Sequence, residues 1–218
     1  MAEPASGSTR AGRSSTVVGL TGGIGVGKST AAELLAVHGA HVVDVDAICK
    51  DVIEPGGPAH QAVLDRFGTH LVGADGRLDR AALAAVVFGD PGALADLTAI
   101  SHPAANTVMA DQVSAQPAGT VSVLDVAVLV EYPRLGRWAD GPGGGYEQVI
   151  LVEAPLAVRL DRLVQQRGMS ETDALARIEA QVRDAERRKI ADHLLDNGGD
   201  LVQLSAQVDQ LWALLTAA

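Results

Sequence analysis

Glycines, a lysine and two hydroxyl residues follow one another closely near the start of the chain. Residues 17–30 have the sequence VVGLTGGIGVGKST, an apolar run followed by a glycine-rich turn. Glycines let backbone N–H groups converge on phosphate oxygens, while a lysine and a helix start supply positive potential. This spacing predicts a phosphate-binding loop rather than a simple turn before a helix. The expected nucleotide contacts are Gly23, Gly25, Val26, Gly27, Lys28, Ser29 and Thr30, and Ser29 is also placed to bind Mg²⁺.

Two aspartates end the next apolar segment. Residues 41–45 are predicted to form the second strand, and alternation in an extended chain points Asp44 and Asp46 to the same side. Ligands of open α/β sheets bind at the carboxyl edge, where an acceptor hydroxyl needs a carboxylate to take its proton. Asp46 is therefore the candidate general base. The spacing equally allows Asp46 to cap a helix starting near residue 47, or Asp44 to be the capping residue.

Further candidate groups follow the third predicted strand, residues 121–124. Asp125 comes directly after it and Glu131 lies six residues later. Asp125 is placed to hold Mg²⁺ through water, or to pair with an arginine of a lid. The pair His102-Pro103 is typical of a turn. No pattern of His or Cys residues indicates a metal cluster.

Arginines are concentrated in residues 155–192. Arg159 and Arg162 lie on one side of a predicted helix whose adjoining face has three leucines, Leu156, Leu160 and Leu163. A mobile segment that delivers an arginine stabilises charge on a transferring phosphoryl group and excludes water. Arg162 is the candidate for this role. The alternative is a solvated helical pair with ion pairs at i,i+4 spacing.

Short apolar strands alternate with segments that suit helices. Besides the strand before the glycine-rich loop, strands are predicted at residues 41–45, 121–124 and 148–152. Alternation of this kind predicts parallel strands covered by helices. We expect an α/β fold of the P-loop NTPase type, with three α/β/α layers and a mainly parallel five-stranded sheet.

The chain is long enough for one domain, and we assign residues 17–218 to it after a disordered extension in residues 1–16. The expected core comprises residues 17–46, 116–154 and 193–218. Residues 47–115 are predicted to form a helical substrate-binding module. Residues 155–192 are predicted to form a lid of two helices broken near Gly168. Residues 141–145 are glycine-rich and predict a flexible loop or an insertion.

Composition excludes several classes of protein. The formal net charge is −10 and the isoelectric point about 4.9, which disfavours a nucleic-acid-binding surface. Cys49 is the only cysteine, so neither a disulfide framework nor a cysteine-rich metal site is possible. The sequence has no secretory signal and no apolar stretch of about 20 residues. We therefore expect a cytoplasmic protein with no membrane partner.

Seven motifs in order make the chain resemble the dephospho-coenzyme A kinase family. They are LTGGIGVGKST, VVDVDAI, EPGGPA, GRLDRAALAAVVF, ISHP, LDVAVLVE and ADHLLDNGG, which extend from about residue 17 to the C-terminus. The resemblance implies ATP-dependent phosphorylation of the ribose 3′-hydroxyl of dephospho-coenzyme A, the last step of coenzyme A synthesis. It also implies Mg²⁺ as the cofactor that accompanies ATP.

The resemblance assigns roles to individual positions. The family's base falls on Asp46, and its phosphate-facing lid arginine on Arg162, with Arg167 as a second candidate. Asn197 and Gly198 match the turn near the ATP base. The expected acceptor contacts are Asp44, Arg80, His102 and Glu131.

Two departures from the family pattern concern the region after strand three. Ala127 and Val128 stand where relatives commonly have proline and leucine, and residues 134–147 look longer and richer in glycine. Two alternative functions stay open. One is a nucleoside, nucleotide or sugar kinase on the same scaffold, and the other is a nucleotide-dependent switch, although no Asn-Lys-x-Asp motif is present. No sequence feature indicates the oligomeric state.

Overall fold

A sheet of five parallel strands forms the centre of the molecule, in the order β2-β3-β1-β4-β5. The structure is a computed structural model that describes residues 15–73, 75–141 and 143–217. It confirms the predicted α/β class and five-stranded parallel sheet. The strands are β1 (Thr16–Gly22), β2 (His41–Asp44), β3 (Val121–Asp125), β4 (Gln148–Glu153) and β5 (His193–Asp196).

Helices cover both faces of the sheet. None of them, over the residues described, is long and apolar enough to cross a membrane. A π-helical turn, Arg162–Gln166, continues the sixth helix. The α-helices are α1 (Lys28–Val37), α2 (Val45–Asp51), α3 (His60–Phe67), α4 (Arg80–Gly89), α5 (Pro91–Ser114), α6 (Leu156–Asp161), α7 (Glu171–Glu179), α8 (Asp184–Arg188) and α9 (Leu201–Thr216).

Two hydrophobic layers pack against the two faces of the sheet. One combines strand residues with buried side chains of α2 to α5, and the other with those of α1 and α9. Along β3, Val123 belongs to the second layer and Leu124 to the first, and both side chains are fully buried. Burial on both faces explains why the strands are continuous apolar runs.

The second strand is shorter than predicted. It ends at Asp44, and Val45 already belongs to α2 because the Asp44 side chain accepts a hydrogen bond from the Ala47 N–H. The prediction that Asp44 and Asp46 extend together along a strand is therefore wrong. Of the expected N-terminal extension, residues 1–14 lie outside the described residues, and Thr16 is part of β1.

The predicted lid interval contains the expected break. Gly168, with φ +64°, follows the π-helical turn and separates it from α7. One short helix more than predicted, α8, precedes β5. His102-Pro103 does not form a turn, because both residues lie inside α5. That helix is held along its length by buried Ala93, Ala105 and Met109 in spite of the proline.

The segment between β3 and β4 is fastened to α5 by one side chain. Asn106 accepts from the Gly136 N–H at 2.8 Å, and its amide donates to the carbonyls of Arg134 and Arg137 at 3.0 and 2.8 Å. The Tyr146 hydroxyl adds a bond to the Pro133 carbonyl at 2.8 Å. These contacts give the glycine-rich segment a defined path over its described residues.

Replacement of this amide should loosen the segment. We expect Asn106→Ala to lower the free energy of unfolding by about 1–2 kcal/mol, because three hydrogen bonds are lost at a half-buried position. Urea unfolding measures the change. Gln112→Ala, an exposed amide on the same helix, is the matched control. Equal stability of the two variants would contradict a fastening role for Asn106.

Candidate active site

The glycine-rich loop lies between β1 and α1, at the carboxyl edge of the sheet. Its last residue before the helix is Gly27, whose φ of +86° and missing side chain leave the first turn of α1 without a side-chain cap. That first turn contains no acidic residue, and it begins with Lys28. Uncapped N–H groups and a lysine form a site for anionic oxygens. The geometry is that of the predicted phosphate-binding loop.

Three side chains from later parts of the chain donate hydrogen bonds to backbone carbonyl groups of this loop. Arg159 Nε donates to the Ile24 carbonyl at 2.9 Å. The Val26 carbonyl accepts from Asn197 Nδ2 at 2.8 Å and from Arg162 Nη1 at 3.0 Å. Because backbone carbonyls need donors when they leave solvent, these contacts allow the loop to turn its carbonyls inward.

A lysine–aspartate pair joins the loop to β3. Lys28 Nζ contacts Asp125, and both side chains are less than one-fifth exposed. Burial raises the pKa of Asp125 above its usual range. The charge and hydrogen bond of Lys28 oppose this rise, and the charges of Asp46 and Asp44 add to it. Lys28, Asp125, Asp44 and Asp46 therefore share one electrostatic environment.

Asp44 and Asp46 have different structural roles. Asp44 is aligned with Asp125 in the neighbouring strand and caps α2 through the Ala47 N–H at 2.9 Å. Asp46 lies in the first turn of α2, where its side chain is exposed. Of the alternatives left open by the sequence, the capping role falls on Asp44. The Asp46 carboxylate is free of a capping bond and stays a candidate base.

The Cys49 thiol is affected by the charge of the Asp46 carboxylate. Burial raises the pKa of its thiol to about 11, and the negative charge of Asp46 adds to the increase. A thiol in this state is a poor nucleophile at neutral pH. Cys49 is therefore not a candidate catalytic group. Removal of the charge on Asp46 should change the reactivity of the Cys49 thiol.

Two predicted acceptor contacts lie on the helices after β2. Arg80, the first residue of α4, donates through Nε to Glu54 at 2.7 Å and through Nη2 to the Lys50 carbonyl at 3.2 Å. Its side chain is still 41% exposed, whereas that of Glu54 is 10% exposed. Glu54 thus orients Arg80 and leaves part of the guanidinium open to a ligand. Sequence reasoning did not single out Glu54, although it begins the motif EPGGPA.

His102, the second of these contacts, lies on α5. Its ring meets that of Tyr132 edge to face, with centroids 4.8 Å apart. Burial lowers the pKa of His102 below its usual range. Tyr132 follows the exposed Glu131 in the segment after β3, so α5 and this segment meet beside the predicted acceptor contacts.

Helix α6 of the predicted lid packs in a different orientation from the one expected. Leu156, expected on the apolar face, is 51% exposed, whereas Arg159 is only 4% exposed and shares the buried side of the helix with Leu163. The Arg159 guanidinium compensates for burial by pairing with Asp184 at 3.1 Å. Burial lowers the pKa of Arg159, Asp184 opposes this effect, and the nearby Arg187 adds to it.

The other predicted nucleotide contacts differ in how they are held. Arg162 Nη2 donates to the Asn197 carbonyl at 2.9 Å, so its guanidinium lies between the loop and the turn after β5. Asn197 is buried, and the Gly198 N–H donates to Asp196. Arg167 is exposed. The contacts of these residues with phosphates or with the ATP base stay predictions.

The donors near Lys28 suit a magnesium ion that is bound mainly by its nucleotide. Ser29 is exposed in the first turn of α1, and Asp125 supplies a carboxylate. Hydroxyl and carboxylate oxygens are hard donors of the type Mg²⁺ prefers. Within the described residues, no group of three or more His, Cys, Asp or Glu side chains could hold a metal ion. The residues therefore fit Mg²⁺ held largely by phosphate and water.

Gln181 is a loop contact that sequence reasoning missed. Its side-chain oxygen accepts from the Ile24 N–H at 2.8 Å. No local sequence signal marks this residue, because it lies between α7 and α8 and meets the loop only in the folded chain.

Comparisons with known proteins identify close relatives over almost the whole chain. A model of the dephospho-CoA kinase family matches residues 16–203. A relative named dephospho-CoA kinase from Thermobifida fusca is 43% identical over 195 residues, which are 89% of this chain and 94% of the relative. A similarly named relative from Frankia casuarinae is 43% identical over 200 residues, 92% of this chain and 83% of the relative.

Solved structures agree with this result. The crystal structure of TT1252 from Thermus thermophilus superposes with a TM-score of 0.76 at 34% identity, and covers 94% of this chain and 100% of its own. A dephospho-CoA kinase from Campylobacter jejuni has the same fold, with a TM-score of 0.63 at 20% identity over 92% of this chain and 97% of its own.

The raised pKa of Asp125 predicts a pH dependence of stability. A carboxyl whose folded pKa lies above its unfolded value of 3.8 stabilises the protein below that value, and loses this contribution as pH rises through the folded pKa. Urea unfolding of the nucleotide-free protein should therefore show the parent losing stability relative to Asp125→Asn as pH increases from about 4. The unpaired Lys28 of the variant changes the offset but not this trend. A difference that grows in favour of the parent would contradict the raised pKa.

Proposed function

Because the chain belongs to the dephospho-CoA kinase family, we propose that it transfers the γ-phosphoryl group of ATP to the ribose 3′-hydroxyl of dephospho-coenzyme A. The products are coenzyme A and ADP, and the reaction is the last step of coenzyme A synthesis. ATP and dephospho-coenzyme A are then its substrate partners. We further propose that the enzyme acts in the cytoplasm.

The main support from the structure is one juxtaposition. Lys28 of the phosphate-binding loop contacts Asp125, which is aligned with Asp44 in β2, and Asp46 follows two residues after Asp44. A donor site for phosphate and a candidate base for a hydroxyl thus lie at the same edge of the sheet. In-line phosphoryl transfer needs this arrangement of charge and positioning.

On the donor side, Lys28 and the N–H groups at the start of α1 bind and orient the phosphates. Ser29 and Asp125 would hold Mg²⁺, which when bound neutralises charge on the β- and γ-phosphate oxygens. Lys28 would exchange part of its contact with Asp125 for phosphate oxygen. Arg162 already donates to the loop, and its guanidinium adds positive charge beside the phosphates.

On the acceptor side, Asp46 orients the 3′-hydroxyl and takes its proton as the oxygen attacks the γ-phosphorus. Asp44 supports this position by capping the helix on which Asp46 lies. Arg80 and His102 are proposed to bind the acceptor, with Glu54 orienting Arg80. Glu131 completes the proposed set of acceptor contacts.

The direct test is a turnover assay with purified protein, ATP, Mg²⁺ and dephospho-coenzyme A. Coenzyme A and ADP should form in equal amounts. A panel of nucleosides, nucleotides and sugars tests the other acceptors, and competition between ATP and GTP tests a switch function. The proposal is overturned by the absence of product from dephospho-coenzyme A at saturation together with turnover of another acceptor.

Asp46→Asn should separate binding from transfer. We expect kcat to fall about 100-fold or more, because a general base contributes at least that factor, while the KM for ATP changes little. The variant should also make Cys49 more reactive toward iodoacetamide, since the Asp46 charge helps to raise its pKa to about 11. Asp51→Asn on the same helix is the control. A kcat near the parent value would assign Asp46 a structural role in α2.

A further inference from the structure

Both backbone polar groups of Ile24, in the phosphate-binding loop, are bound by side chains of residues 155–192. The Ile24 N–H donates to Gln181 Oε1 at 2.8 Å. The Ile24 carbonyl accepts from Arg159 Nε at 2.9 Å. Residue 24 therefore has both of its backbone polar groups bound to residues far along the chain, and neither group is free for a ligand.

Of the two side chains that hold Ile24, Arg159 is itself restrained. Arg159 is 4% exposed and paired with Asp184, the first residue of α8. Asp184 also accepts from Arg187 at 3.2 Å, and the Arg187 side chain is 1% exposed. A buried guanidinium with a fixed carboxylate partner has little rotational freedom, so Arg159 offers Nε in one direction.

The neighbouring glycine shows how closely the arginine approaches. A Cβ atom on Gly23 would lie 2.6 Å from Arg159 Nη2 and 3.3 Å from Gln181 Oε1. Gly23 does not have a positive φ, unlike Gly25 and Gly27. Glycine is required at position 23 by the space that Arg159 occupies and not by the backbone conformation.

The conformation of Ile24 affects the directions of the backbone N–H groups that follow it in the loop. Gly25 and Gly27 both have positive φ, and the turn between them leads into the uncapped start of α1. A peptide fixed before this turn limits the directions in which the later N–H groups can point. Preorganised N–H donors bind phosphate better than donors that must first be ordered.

We propose that Arg159 and Gln181 are positioning residues that set the shape of the phosphate-binding loop by holding the carbonyl and the N–H of Ile24. The lid interval thus prepares the nucleotide site before any nucleotide is bound. This inference rests on the proposed kinase activity only for the turnover readout. Binding of ADP tests it without that activity.

The test is a double-mutant cycle with Arg159→Ala, Gln181→Ala and the combined variant, and calorimetric binding of ADP as the first readout. Each single variant should weaken ADP binding about 10-fold, and the pair should lose much less than the product of the two losses, since release of either backbone group already lets Ile24 change its φ and ψ. Gln181 is uncharged, so its effect cannot be attributed to lost attraction for phosphate. In turnover assays the KM for ATP should rise more than kcat falls. Arg177→Ala, an exposed arginine on α7, is the control.

A second cycle keeps the test sharp if one variant folds poorly. Gly23→Ala should weaken ADP binding in the parent and have a smaller effect in the Arg159→Ala background, where the obstructing guanidinium is gone. Parent-like ADP binding in folded Arg159→Ala and Gln181→Ala proteins would overturn the inference, as would losses that simply multiply. Parent protein that binds ADP but does not phosphorylate dephospho-coenzyme A would overturn the proposed function and leave this inference intact.

Discussion

The structure of the nucleotide site depends on where the carbonyl groups of the phosphate-binding loop point. A loop that presents N–H groups to an anion directs carbonyls the other way, and each buried carbonyl needs a donor. In this chain the donors come from a distance. Arg159 serves Ile24, and Asn197 and Arg162 serve Val26. The glycines make the turn possible, but the side chains behind the loop stabilise one version of it.

This constraint explains why a charged residue is buried in the lid helix. Arg159 and Arg187 are buried and share one carboxylate, that of Asp184, whose side chain is 40% exposed. Two guanidinium groups against one carboxylate leave a positive charge behind the loop. A phosphate group on the other side would meet both the loop N–H groups and this charge, so the cluster adds to the attraction for a nucleotide.

Local patterns in the sequence were sufficient for the sheet, for the glycine-rich loop after β1, and for the placement of Asp44 and Asp125 at the ends of neighbouring strands. Apolar runs and glycine spacing are patterns of residues that are close along the chain. The strands and the loop that these patterns predict are present in the structure. Predictions failed where a tertiary contact decided the outcome. Asp44 ended β2 one residue early by capping α2, and α5 continued through Pro103 because its buried face held it. The burial of Arg159 in place of Leu156 and the contact of Gln181 with Ile24 depend on partners more than a hundred positions away.

The strand order also has a consequence for how the chain folds. β1 is made first but lies in the middle of the sheet, between β3 and β4, which come much later in the sequence. Parallel pairing over such separations closes long loops and is slow compared with helix formation. During synthesis, the strand that leads into the phosphate-binding loop therefore has an unpaired backbone on both sides until β3 and β4 leave the ribosome. The sheet, and with it the nucleotide site, therefore assembles late in the synthesis of the chain, after β3 and β4 have been made.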